Sequence, residues 1–372
     1  MKLTDLIPRF FPHKKEQTQP AQRPFRVAQI ETTTLCHMDC IFCVQTQLAG
    51  SLQRGEMPLS LYREYIVPCL SEFELVYLQG WGEPILHPDL WEMVRLAKEK
   101  GCRTGFTTNG KLLDEKAAHQ ILESGLNLIS ISFSGATRAT HQSTRVNSDW
   151  DLLRRNVERL ADLKAKGGYT DLWIEIHYLM MADNLHELPE FVRLSAELGA
   201  DEAVATNLTY TPNLALDQMR AFSDRMDAHK EAILSRARRT AQRTGIRLNI
   251  YPLVMESQVL VCDANPLDTV FINHRGEVAP CVLMGLTLDG DIPRYFLGQP
   301  HPTPAVRFGD VRQGLEKVMN GKARQEFIEI FQRRNISSDP LAAFAYLSGD
   351  QEEELLPDPP LPCRHCYKMY GV

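Results

Sequence analysis

Three thiols stand within eight residues of one another, at Cys36, Cys40 and Cys43, in the pattern Cys-x-x-x-Cys-x-Phe42-Cys. Thiolates are soft ligands for zinc and for iron–sulfur centres. Three of them on one loop can converge on a single inorganic centre. A cubane of four irons held by three thiolates keeps one iron open, as catalytic metal sites keep one coordination position open. Such a centre does chemistry. The plainer alternative is a zinc knuckle completed by His37 or a distant residue.

A second set comprises Cys262, Cys281, Cys363 and Cys366. Thirteen residues separate Cys262 from Gly276, four separate Gly276 from Cys281, and the last pair forms a Cys-x-x-Cys. Four thiolates can close the ligand shell of one 4Fe–4S cluster, leaving it electron transfer and structural closure as roles. A zinc ribbon with four cysteine ligands satisfies the same count. Gly276 suits the positive φ of a turn in Asn273-His274-Arg275-Gly276. Cys69 and Cys102 lack ligand-like neighbours and read as small core residues.

The elements that position these cysteines alternate. Strands are expected over Arg26–Thr33, Leu75–Gly80, Arg103–Thr108, Leu126–Ser134, Leu172–Met180 and Glu202–Leu208. Helices are expected near Leu61–Phe73, Asp89–Lys100, Glu115–Ser124, Asp151–Lys166 and Leu188–Leu198, with a long one over Asp217–Thr244. Six βα units imply a parallel sheet with right-handed crossovers and a ligand site at the strands' carboxyl ends. Periodicity alone does not separate an open sheet from a full or partial barrel. The pattern breaks after Gly245, where a strand-like Arg247–Tyr251 precedes a smaller second domain.

Composition narrows the class. The 372 residues are 44% hydrophobic and carry a net charge of −6, which excludes wholesale disorder and gives nucleic-acid backbones no overall attraction. No apolar run reaches the ~20 residues that span a bilayer, and the N-terminus lacks a signal peptide's apolar run. No membrane and no nucleic-acid partner is therefore expected, and the localisation expected is cytoplasmic. Nine cysteines in a reducing compartment then argue for metal or redox chemistry instead of disulfides.

The motifs, taken in order, resemble those of the radical S-adenosylmethionine (radical SAM) superfamily. Cys36, Cys40, Phe42 and Cys43 match its CxxxCxΦC cluster loop. Gly82-Glu83-Pro84 resembles its GGEP motif, with Trp81 where the first glycine usually stands. Thr107-Thr108-Asn109-Gly110 resembles a turn common after the third strand. Ser132-Phe133-Ser134-Gly135 falls where relatives carry Ser-x-Asp-Gly, a ribose-binding segment, with Ser134 replacing the Asp. Arg145 resembles the arginine that often follows. The text C-x13-G-x4-C resembles the opening of the family's SPASM/twitch extension.

The resemblance implies a partial (β/α)6 TIM-like barrel at 26–245, an N-terminal extension at 1–25 and a twitch/SPASM-like domain at 250–372. It implies S-adenosylmethionine as cofactor, a 4Fe–4S cluster on Cys36, Cys40 and Cys43, and one auxiliary 4Fe–4S cluster on Cys262, Cys281, Cys363 and Cys366. Gly82, Glu83, Pro84, Ser132, Ser134 and Arg145 would contact S-adenosylmethionine. The chemistry implied is reductive cleavage to a 5′-deoxyadenosyl radical that takes hydrogen from a peptide or small metabolite. A flavodoxin- or ferredoxin-type reductant would supply the electron. The extension before Arg26 is too short for the roughly 80-residue recognition domain that many peptide modifiers carry, which tilts slightly against a peptide. A non-catalytic iron–sulfur carrier and a zinc-stapled binding protein are the rival classes. Glu175 and His177 share a strand face that could point inward, in an unspecified role.

Overall fold

The computed structural model describes residues 23–336 and 356–372. The expected N-terminal extension, apart from residues 23–25, and the first half of the acidic loop Asp350–Leu361 lie outside the described residues. Seven strands run parallel in chain order: β1 (Phe25–Ile30), β2 (Phe73–Tyr77), β3 (Arg103–Thr108), β4 (Leu128–Phe133), β5 (Trp173–Met180), β6 (Glu202–Asn207) and β7 (Arg247–Ile250). Each lies within three residues of its expected span, and the strand after Gly245 becomes a seventh parallel member beside β6.

Side-chain alternation gives the sheet two different faces. On β5, Ile174, Ile176, Tyr178 and Met180 are wholly buried, Tyr178 packing 4.6 Å from Phe191 of the helix Leu188–Glu197. Glu175, His177 and Leu179, at the alternate positions, line an interior cavity. The curved sheet with helices outside and a lined interior is a partial barrel of α/β class.

The other edge of the sheet is built from the far end of the chain. β8 (Thr269–Ile272) pairs parallel with β1, β9 (Glu277–Ala279) turns back antiparallel to β8, and further on β12 (Gly309–Asp310) pairs antiparallel with β9. Between them β10 (Tyr295–Phe296) and β11 (Gln299–Pro300) form a separate pair. Gly276 turns the β8–β9 hairpin at φ +92°, the conformation for which glycine is suited. The segment after residue 250 is thus stitched by backbone hydrogen bonds to the first strand. Among the described residues the sheet runs from β12 to β7 without closing.

Two expected helices differ. Leu61–Phe73 is broken: an α-turn at Leu59–Leu61 widens into a π-helix at Tyr62–Ile66 and tightens into a 3-10 helix at Val67–Glu72. Pro68 removes an amide donor there, so a regular i→i−4 ladder cannot pass it. The long helix starts at Ala228 and not at Asp217. Asp217 is buried and accepts hydrogen bonds from Tyr367 Oη at 2.6 Å and Gly298 N at 2.8 Å. Residues 220 and 223 bridge instead to Met181 and Val254. Asp227 then caps the helix by accepting from Lys230 N at 2.8 Å.

Candidate cofactor site between two cysteine sets

The loop that follows β1 is held by its own threonines and by the strand-like segment near Gly55. Thr33 Oγ1 accepts from Leu35 N at 2.9 Å, Thr34 Oγ1 accepts from Gly55 N at 2.8 Å, and Met57 N donates to Thr32 O at 2.7 Å. This fixes the entry to Cys36, Cys40 and Cys43, which lie within electrostatic reach of one another. Burial pushes all three thiols up, Cys43 to about 12. Thiols so desolvated become thiolates only beside a compensating positive centre.

The loops after β2, β3 and β4 converge on that loop. Gly82 lies so close to it that a Cβ would stand 2.3 Å from Thr33 O and 2.7 Å from Leu35 O, and Glu83 N donates to Leu35 O at 2.8 Å. Glycine is required by this approach. The Glu83 carboxylate is buried and accepts from Thr108 Oγ1 and Asn109 N, both at 2.8 Å, and from Ile85 N at 3.2 Å. Burial nevertheless pushes it up to about 7, against the opposing effect of those donors. Pro84 opens a short 3-10 turn behind it. Asn109 Nδ2 lies 3.8 Å from Cys36 Sγ.

Arg145 reaches the same place from the segment after β4. It is buried, its positive charge opposes the rise that burial imposes on the Cys40 thiol, and it stacks 5.1 Å from the Phe42 ring centroid. Its Nε donates to Ser134 Oγ at 2.8 Å. Ser134 is therefore occupied in orienting Arg145 and is not among the cavity-lining residues, whereas Ser132 is. A cavity of about 400 Å³ opens beneath these loops. Its wall includes Cys43, Arg145, Ser132, Glu175 and His177, together with Trp81 and Tyr210, whose rings are 5.9 Å apart.

The second cysteine set touches the cavity through one member. Cys281 lines the same cavity as Cys43. Cys262, Cys281, Cys363 and Cys366 are electrostatic neighbours, and burial pushes the first three thiols up, Cys363 well above the ordinary thiol range. All nine cysteines are free thiols. Among the described residues no three His, Cys, Asp or Glu groups are gathered tightly enough to grip one metal ion. Each cysteine set is clustered and desolvated, as the thiolate ligands of a metal or iron–sulfur centre would be. Three thiols in one set and four in the other match the ligand counts of an open and a closed 4Fe–4S cluster.

Several neighbours of the site carried no sequence signal. Glu31 accepts from Trp81 N at 3.0 Å with one oxygen, and its other oxygen lies 3.1 Å from His274 Nδ1, joining β1 to the β8–β9 turn across 243 residues. Trp81 Nε1 donates to Val282 O at 3.2 Å. Lys368 donates to Asp263 at 2.6 Å, and both line the cavity beside the second cysteine set. The sequence hint at that pair is that Asp263 directly follows Cys262 and Lys368 lies two residues after Cys366.

The family model described as "Radical SAM superfamily" matches residues 30–195, and one described as "Iron-sulfur cluster-binding domain" (SPASM) matches residues 262–367. The chain belongs to the radical SAM superfamily. This radical SAM protein is an enzyme, and its cofactors are S-adenosylmethionine and a 4Fe–4S cluster, with auxiliary iron–sulfur in the SPASM segment. It is 25% identical to the tungsten-containing aldehyde ferredoxin oxidoreductase cofactor-modifying protein of Pyrococcus furiosus, over 76% of this chain and 77% of that protein. It is 28% identical to the mycofactocin maturase MftC of Mycolicibacterium smegmatis, over 46% of this chain but only 41% of that protein. Its fold resembles Streptococcus suis SuiB bound to precursor peptide SuiA, with TM-score 0.55, 12% identity, and coverage of 94% of this chain and 71% of SuiB. It also resembles anSMEcpe with bound AdoMet, with TM-score 0.54, 17% identity, and coverage of 82% and 83%. No described helix is long and apolar enough to cross a membrane.

Proposed function

We propose that this radical SAM enzyme modifies a peptide in the cytoplasm, taking a hydrogen atom from a side chain held between two iron–sulfur centres. The observation that carries the reading is the single cavity whose wall includes both Cys43 and Cys281. Cys36, Cys40 and Cys43 would hold the first cluster, and Cys262, Cys281, Cys363 and Cys366 one auxiliary 4Fe–4S cluster. With S-adenosylmethionine bound and one electron supplied, the first cluster provides the hydrogen-abstracting radical chemistry.

The chain's own residues bind, orient and exclude water. Glu83 would accept the methionine ammonium, with Gly82 allowing close backbone approach and Pro84 fixing the turn. Arg145 would take the carboxylate, held by Ser134, and Ser132 would meet the ribose from the cavity wall. The Trp81 and Tyr210 rings and the leucines of the wall keep water from the reacting atoms. A flavodoxin- or ferredoxin-type protein would deliver the electron.

The mycofactocin maturase and SuiB with its precursor peptide support a peptide substrate, as proteins this chain resembles. A second reading, modification of a small cofactor, is favoured by the Pyrococcus relative, which aligns over most of both chains. Incubating reconstituted enzyme with S-adenosylmethionine, reductant and candidate deuterated peptides would test the choice. Deuterium in 5′-deoxyadenosine and a mass change in the peptide are expected. Deuterium drawn only from a small cofactor would replace the first reading with the second.

A further inference from the structure

Glu175 stands on β5 in the floor of the cavity with its side chain 2% exposed. Its two oxygens are treated very differently. Oε2 accepts from Ser130 Oγ at 2.8 Å and lies 2.8 Å from His177 Nε2. Tyr77 Oη donates to Ser130 Oγ at 3.1 Å and lies 2.7 Å from Thr107 Oγ1. A chain of hydroxyls from β2, β3 and β4 therefore ends on one oxygen of Glu175 and locks its rotamer. Oε1 is buried and meets no hydrogen-bond donor among the described residues.

A carboxylate can accept about four hydrogen bonds, and a buried oxygen left without one is costly. The hydroxyls around it are already spent on Oε2, and the neighbouring wall residues Leu75, Leu128 and Val204 have nothing to donate. Glu202 stands in register beside Glu175 on β6, so the neighbour on that side is a second carboxyl group. Its carboxyl is pushed up to about 7 by burial and then by the charge of Glu175.

We infer that Glu175 Oε1 is a substrate subsite: it receives a hydrogen-bond donor, an amino or hydroxyl group, at the tip of the group that enters the cavity. This rests on the reading that the cavity receives the substrate. Glu175 sets which side chain is held and how deeply, while Ser130, Tyr77 and Thr107 are positioning residues that act through it. An apolar shaft with a donor tip matches leucine and valine walls around Glu175 Oε1; Asn207 Oδ1 is a second unpartnered acceptor among the lining residues. Side chains lacking a donor would leave Oε1 unpaired and be discriminated against.

The test needs neither turnover nor the natural substrate. Reconstituted enzyme loaded with S-adenosylmethionine is titrated with n-butylammonium, 1-butanol and diethyl ether by ligand-observed NMR. The last two are isomers that differ in carrying a donor. Butylammonium and butanol are expected to bind, with the ether about tenfold weaker. Glu175→Gln should weaken butylammonium about tenfold with Tm held near wild type, and Ser130→Ala, which keeps the charge but loosens it, by about threefold. Equal binding of ether and butanol, or unchanged binding of butylammonium to Glu175→Gln, would overturn the subsite. Probe binding that follows the expectation while no peptide is modified would leave Glu175 standing and count against the peptide reading alone.

Discussion

The two cysteine sets reach the same cavity by opposite routes. Cys36, Cys40 and Cys43 come from one loop directly after β1, so their convergence is local and their spacing carries it. Cys262, Cys281, Cys363 and Cys366 are drawn from three separated stretches and meet only because β8 pairs with β1 and the tail folds back, with Lys368 on Asp263 and Tyr367 on Asp217. One set depends on turn chemistry and the other on the whole topology. A three-thiol site leaves room for a reacting ligand, whereas a four-thiol site is closed. The proposed function accordingly assigns chemistry to the first and electron transfer and closure to the second.

The largest effect should come from breaking the first set alone. Replacing Cys36, Cys40 and Cys43 by Ala should lower S-adenosylmethionine cleavage at least about a thousandfold, read as 5′-deoxyadenosine, because the ligands act as a unit. About four irons per chain should remain, held by the second set. Replacing Cys363 and Cys366 by Ala should do the reverse: cleavage persists, Tm falls by roughly 5–10 °C, and peptide modification is lost. If both variants lost cleavage equally with the fold intact, the division of labour would be wrong.

A second effect concerns pH. Glu83 must be anionic to take an ammonium, yet burial holds it at about 7 instead of its ordinary 4.5. Binding then expels a proton below that point, so S-adenosylmethionine affinity should weaken by up to about tenfold for each pH unit below 7 and level off above it. Calorimetry across pH 5.5–8.5 would show the slope, and Glu83→Gln should be weaker and flat. Without the cofactor, the folded chain keeps a proton that the unfolded chain releases. Stability conferred by this group therefore falls as pH rises from 4.5 to about 7.

Smaller effects sharpen the contrast between local and distant assembly. A Cβ at Gly82 would press on the Thr33 carbonyl, so Gly82→Ala should cost about 1–3 kcal/mol in stability and displace the cluster loop, seen by denaturant melts and the cluster's EPR spectrum. Lys368→Met removes a cation close to Cys262 and Cys366 and leaves Asp263 behind. The auxiliary centre should then be harder to reduce, its potential moving negative in a spectroscopic redox titration while that of the first cluster is unchanged.

Much of this was legible in the sequence, for physical reasons that differ by residue. β3 occupies its expected Arg103–Thr108, a short run bounded by Gly101 before it and the Asn109-Gly110 turn after it. Alternation along β5 puts Glu175 and His177 on one face, and the structure makes that face the inward one. The helical run expected over Leu61–Phe73 ends within a residue of that span, but its change from α to π to 3-10 geometry is not part of that expectation, although Pro68 is visible in the sequence and breaks the regular ladder. Asp217 does lie in a helix, the short Leu214–Gln218, but its separation from the long helix was hidden because its partners Tyr367 and Gly298 are more than 80 positions away. The Glu31–His274 pair and the diversion of Ser134 to Arg145 arise from tertiary contacts that no spacing announces.

The most direct test of the central claim is Mössbauer and EPR spectroscopy of anaerobically reconstituted enzyme before and after adding S-adenosylmethionine. About eight irons per chain in two 4Fe–4S clusters are expected, only one of which changes its spectrum with S-adenosylmethionine, and that one is missing from the Cys36/Cys40/Cys43 variant. Stoichiometric zinc in place of iron, or a cofactor-sensitive signal that survives in that variant, would contradict the account.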